Sequence, residues 1–311
     1  MPKVQARFFS KDTLSSSTTR IIGVVLAAAL LAVLDFNAGR ILLDPASIYP
    51  FLIILIAPAS LGVRFGIQTI YFIRKACVPI GIFVCIVNSL ILLSEMDDVA
   101  GLLYDTRLTY APLALGVMLS FLLSIIETEQ KHSSKLDGTL WSFFALLTVL
   151  TVALAVFLLF QIRQAQFHVG LFLEDRVFIG SILIYSLYSI HPKMATFSPI
   201  QKLYKSSRTI ILVSVIIGVA YYVYGFAIDF GDKSPLPDQT TRALSFAIKG
   251  MYVGSFIAII SITTGGSLGE SDHDSMTFDW HIVEAYTFFL LIVMPPLSIL
   301  EIASMMVEGI D

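Results

Sequence analysis

Glu284 is the residue of this chain most suited by type and position to carry a proton. It stands just inside the last long apolar run, 281–305, behind Asp279, Trp280 and His281. A carboxylate placed among hydrocarbon costs about 3 kcal/mol unless it is paired or hydrated, so such residues mark ion routes. The competing reading is a carboxyl at headgroup level, sharing an interfacial belt with Trp280 and His281. Lys249 opens another apolar run, where it either pairs with Asp229 or Asp232 across a helical hairpin or extends its amine to the interface. Asn88 and Ser89 interrupt a third run; they suit a helix–helix hydrogen bond or a hydrated ion path. Gly81 and Cys85 share that helix, and Gly250 follows Lys249; Glu284, Lys249, Asn88, Cys85, Gly81 and Gly250 form the candidate ion-path or helix-packing set. Pro295 and Pro296 must break a helical hydrogen bond and so form a candidate hinge. Asp272, His273, Asp274 and His281 have the atom types of metal ligands but none of the characteristic spacings, so no metal is expected. A phosphate-binding glycine loop, a Ser/His/Asp set and an HExxH helix are all missing from the sequence, which points away from an enzyme and from any cofactor.

The elements that must position these residues are apolar. The chain has 311 residues, 56% hydrophobic and 14% charged, with a mean hydropathy of +0.83. That is too little charge to cover a water-soluble domain of this length. Apolar runs that reach the length needed to cross about 30 Å of hydrocarbon predict an all-α, polytopic transmembrane bundle. The runs fall at 20–36, 45–63, 78–96, 108–127, 141–162, 176–190, 208–228, 245–263 and 281–305, a bundle of about eight to nine helices. The net charge of −3 carries no nucleic-acid signature. Cys77 and Cys85 lie about 12 Å apart along one helix, too far for a disulfide, and read as packing residues.

Lysine and arginine orient the spans. With the N-terminus inside, thirteen of the twenty fall on the cytoplasmic side and seven on the other. The positive-inside rule therefore predicts a cytoplasmic N-terminus in a multi-pass membrane protein. Acidic outer loops and basic inner connections alternate along the chain, so it reads as helical hairpins. Their repetition suggests a duplicated four-helix unit, though any N-inside bundle alternates in this way. The resulting division is a cytoplasmic tail (1–19), a first membrane unit (20–130), a connector (131–140), a second unit (141–263), and an acidic loop with a last helix (264–311). The acidic segment 264–280 lies inside if nine spans cross and outside if eight do.

Two stretches carry a family resemblance. In 79–127 an apolar helix ends at Met96-Asp97-Asp98 and a second returns after a short acidic loop; in 38–62 a glycine-containing loop leads into Asp44-Pro45-Ala46-Ser47 at a helix start. The pattern resembles the membrane hairpins of the MotA/TolQ/ExbB proton-channel family. Gly81 and Ala114 fit that pattern, whereas Val84, Cys85 and Asn88 stand where Gly, Thr and Gly are usual. Val117 and Met118 replace two threonines, and Phe121 a glycine. The resemblance implies a membrane subunit of an ion-motive-force-linked complex, forming homo-oligomers or holding a single-span partner that bears the ionisable aspartate. The short connection from Arg64 to Cys77 has no room for the rotor-facing domain of the flagellar members. The alternatives are a stand-alone transporter or channel, and a non-conducting scaffold or assembly protein.

Overall fold

The computed structural model describes residues 45–65, 69–94, 111–120, 122–123, 138–165, 172, 175–232 and 238–265. Among the described residues the chain is all-helical. Helix α1 is Pro45–Phe65, α2 Thr69–Ser94, α3 Ala111–Ser120, α4 Gly138–Arg163, α5 Asp175–Ile190, α6 Pro199–Asp232 and α7 Asp238–Thr263. A short 3₁₀ turn, Pro192–Met194, links α5 to α6.

Local chemistry explains the boundaries. Pro45 is the first residue of α1, where a missing N–H costs nothing. Asp175 places a carboxylate in the first turn of α5, at the positive end of its dipole. A reciprocal cap opens α6: the Ser198 N–H donates to Gln201 Oε1 (2.9 Å), and the Gln201 N–H to Ser198 Oγ (3.3 Å). Pro50 and Pro58 lie inside α1 and Pro79 inside α2, each removing one backbone bond from its helix.

Among the described residues three helices are long and apolar enough to cross a membrane: Pro45–Val63, Thr69–Ile91 and Ser142–Arg163. The outer surfaces of the first and third invert the order of a water-soluble fold. Tyr49, Leu52, Ile56 and Val63 face outward from α1, and Phe143, Leu146, Leu150, Leu154 and Phe157 from α4. The steps of three and four residues mark one continuous stripe on each helix. A third stripe runs along α5 through Phe178, Ile179, Ile182, Leu183, Leu187 and Ile190.

Helix α7 is the hub, packing on α1, α2, α4, α5 and α6, with its most extensive contact to α6. Helix α1 packs on α2 and α4, and α5 on α6. The interior is built from Phe51, Phe72, Phe83, Ile54, Leu61, Ile80 and Leu159, all sealed from solvent. Phe83 of α2 stacks on Tyr252 of α7 with centroids 5.1 Å apart, and Phe172 reaches the same tyrosine at 5.3 Å. Such aromatic pairs add about 1 kcal/mol each beyond their burial.

Three helix starts differ from the sequence expectation. Helix α2 begins at Thr69 rather than 78, α6 at Pro199 rather than 208, and α7 at Asp238 rather than 245. The apolar runs were delimited by charge, but helix continues through charged turns when the charges find cover. Arg74 is buried in α2, and the Lys75 amine lies 5.9 Å from the Tyr71 ring centroid. The α1–α2 connection consequently shrinks from Arg64–Cys77 to 66–68, and Gly62 is needed there because a Cβ on it would collide with the backbone of Thr69. The expected spans 20–36 and 281–305 lie outside the described residues.

Candidate functional site

Two close helix crossings and a set of buried polar groups hold most of the sequence candidates that the structure describes. Gly81 sits where α2 crosses α3. A Cβ on Gly81 would lie 2.7 Å from the Pro112 carbonyl oxygen and 3.1 Å from Leu113 Cα; one on Gly116 would strike the Cys77 carbonyl. As numbers rise along α2 they fall along α3, so the pair is an antiparallel hairpin. Small residues permit this approach, and without them the backbones would separate.

Gly250 makes the second crossing. It faces Ser214 of α6 so closely that a Cβ would collide with both side-chain atoms of the serine. One turn on, a Cβ on Gly254 would lie 2.6 Å from Ile211 Cγ1 and 3.1 Å from the Ser207 carbonyl oxygen. The spacing Gly250-x-x-x-Gly254 is a small-residue packing motif, spent here on the chain's own α6. Lys249, its neighbour, is half-buried.

Asn88 is 2% exposed, and neither its amide oxygen nor its amide nitrogen has a hydrogen-bond partner among the described residues. It lies seven residues, two turns, beyond Gly81 on the same face of α2. Ser89 turns inward upon its own helix, its Oγ donating to the Cys85 carbonyl at 2.9 Å. Cys85 and Cys77 are both buried and both free thiols.

Hydroxyls missed by the sequence reading tie the bundle together. Thr148 Oγ1 of α4 donates to Thr263 Oγ1 of α7 at 2.7 Å, and Thr263 donates back to the Ile259 carbonyl at 2.9 Å. Both threonines are fully buried. Tyr188 Oη and Thr209 Oγ1 lie 2.6 Å apart and join α5 to α6. Most remaining buried serines bond to carbonyls three or four residues back, as Ser181, Ser207, Ser214 and Ser261 do. No local signal distinguishes Thr148 or Thr263 from these back-bonded hydroxyls; only the approach of α4 to α7 makes them a pair.

Of the other candidates, Pro45 is the helix-initiating residue of α1. Asp44, Met96, Asp97, Asp98, Glu284, Pro295 and Pro296 fall outside the described residues, as does the Asp272-His273-Asp274 group with His281. Among the described residues no cluster of three metal-ligating side chains occurs. Among the described side chains Asp175 is the one carboxylate, and it is exposed. Chemically, the described interior offers hydroxyls, two thiols, one amide and one guanidinium: groups that bind helices, water or an anion.

Comparison with protein-family models, curated proteins and solved structures finds no match for this chain.

Proposed function

We propose that this chain is a multi-pass subunit of a bacterial inner membrane, with about eight to nine spans and its N-terminus in the cytoplasm. Within that membrane it serves an ion-motive-force-linked complex, as the resemblance to MotA/TolQ/ExbB components implies. It acts by helix association, with itself or with a single-span partner, and not by catalysis. One observation carries the reading: apolar stripes at helical spacing face outward on α1, α4 and α5, around an interior held by small residues and hydroxyls. Hydrocarbon is the solvent that such a surface suits, and close packing with hydrogen bonds is what holds helices together there. The 66–68 connection leaves no room between α1 and α2 for a rotor-facing domain, which supports a role other than flagellar torque.

Affinity purification in mild detergent tests it. A co-purifying single-span protein with a membrane aspartate, or a homo-oligomer of defined size, is the expected result. A monodisperse monomer that retains nothing would refute the subunit reading. Orientation is checked with cysteines placed at Ser94 and Ser234, which should label from the periplasmic side; labelling only after permeabilisation would reverse the topology.

A second reading, a stand-alone transporter, is favoured by the amide of Asn88, a polar group without a partner among the described residues and deep in the bundle. Proton flux through the purified chain in liposomes, abolished by Glu284→Gln, would establish it over the first.

A further inference from the structure

We infer that the α5–α6 corner is a binding site for the phosphate of an anionic phospholipid headgroup, held by Lys202, Lys205 and Arg208. The inference rests on the membrane reading above and adds a ligand to it.

The corner lies where an apolar surface hands over directly to a cationic one. The outward stripe of α5 ends at Ile190, which is 80% exposed, and His191 follows at once. After the 3₁₀ turn, α6 begins with three cations at steps of three residues. At 100° per residue Lys202, Lys205 and Arg208 span an arc of about 120° and a rise of about 9 Å, so they share one face within reach of one headgroup. The apolar run of α6 begins only at Ile210. This is the geometry of a membrane boundary: hydrocarbon against the stripe, phosphate against the amines.

Three further features make the corner a built surface. The whole stretch from Arg176 to Ile228 contains no aspartate or glutamate, so no carboxylate of that stretch competes for the cations. Aromatic side chains steer two of them: the Lys205 amine lies 4.1 Å from the Phe197 ring centroid, and Arg208 donates to Tyr204 Oη at 2.7 Å with its guanidinium over the same ring. Such contacts orient a cation without neutralising it, because a ring carries no net charge. Finally, the corner is held in shape. The Ser198–Gln201 cap fixes the start of α6, and the Tyr188–Thr209 bond ties the end of α5 alongside it. All three cations are half-buried, which suits long side chains whose stems lie along the protein at an interface. Lysine and arginine beside an anionic leaflet attract it individually, and a fixed cluster adds those attractions at one place.

The test uses the full chain in nanodiscs of phosphatidylcholine alone, or of phosphatidylcholine doped with phosphatidylglycerol. Lipid retained after transfer to detergent is read by native mass spectrometry. The wild type should retain phosphatidylglycerol selectively. Lys202→Gln with Lys205→Gln should weaken that selectivity about fivefold per lysine, or about thirtyfold together, from the usual worth of a basic residue at an anionic surface. Lys202→Arg with Lys205→Arg should keep it, which separates charge loss from misfolding. Equal retention of phosphatidylglycerol by wild type and the glutamine pair would overturn the site. Inorganic phosphate displacing the lipid at matched concentration would make it a soluble-anion site and overturn the lipid assignment. Failure of the wild type to insert into either nanodisc would instead defeat the membrane reading itself, an outcome distinct from insertion without lipid selectivity.

Discussion

Exchanging the two small residues where α6 meets α7 tests whether that crossing is set by side-chain volume. A Cβ on Gly250 would collide with the Oγ and Cβ of Ser214, while Ser214 Cα would stay 3.7 Å away, an ordinary contact. Gly250→Ala therefore forces an overlap against an atom anchored to the backbone, at the upper end of the overpacking range, about 3 kcal/mol. Alanine returns about 1 kcal/mol of helix propensity, so the net loss is about 2 kcal/mol. Ser214→Gly alone costs about 0.5 kcal/mol of propensity, since the hydroxyl it removes bonds only to the Ile210 carbonyl of its own helix. Independent effects would make the double variant about 2.5 kcal/mol less stable than wild type. If the overlap is real, Gly250→Ala with Ser214→Gly relieves it, and the double variant should lie within about 1 kcal/mol of wild type. Unfolding of the purified protein in mixed micelles, followed by circular dichroism, supplies the four stabilities of the cycle. Additive losses would show that Gly250 and Ser214 do not meet, and would refute the α6–α7 register.

Three further outcomes follow from the same reasoning. Gly116→Ala should destabilise by about 2 kcal/mol, because its new methyl meets the Cys77 carbonyl, whereas Gly180→Ala, with no atom within 4 Å, should stabilise by up to about 1 kcal/mol; equal effects in a thermal scan would contradict the α2–α3 crossing. A Thr148→Val and Thr263→Val cycle should show a coupling of about 0.6 kcal/mol, the usual worth of an interhelical bond in a membrane bundle, and no coupling would mean that α4 and α7 do not touch there. Asn88→Leu removes an amide that has no partner among the described residues, so it should leave the isolated chain as stable or raise its stability by about 1–3 kcal/mol; a marked loss would reveal a hydrogen bond to Asn88.

Much of the helical order was legible in the chain. The runs at 45–63, 141–162 and 176–190 match α1, α4 and α5 to within a few residues, because unbroken apolar sequence of that length has few alternatives to helix. The starts of α2 and α6 were not legible, since Lys75 and Lys205 read as loop until Tyr71 and Phe197 are found beside them. Nor was the division between core and rim. In α4 the buried Leu159 and the exposed Phe157 are equally apolar, so one face against protein and another facing outward leave no periodic trace. Composition and run length are properties of single segments, and the sequence alone determined those: all-helical, apolar, cation-biased at one set of turns. Which glycine meets which serine, and which of many hydroxyls finds a partner on another helix, depends on pairs of residues up to 115 positions apart. Packing of α7 against its neighbours decided them, because a contact that needs a missing Cβ or a bond of 2.7 Å exists only when two backbones have already come together.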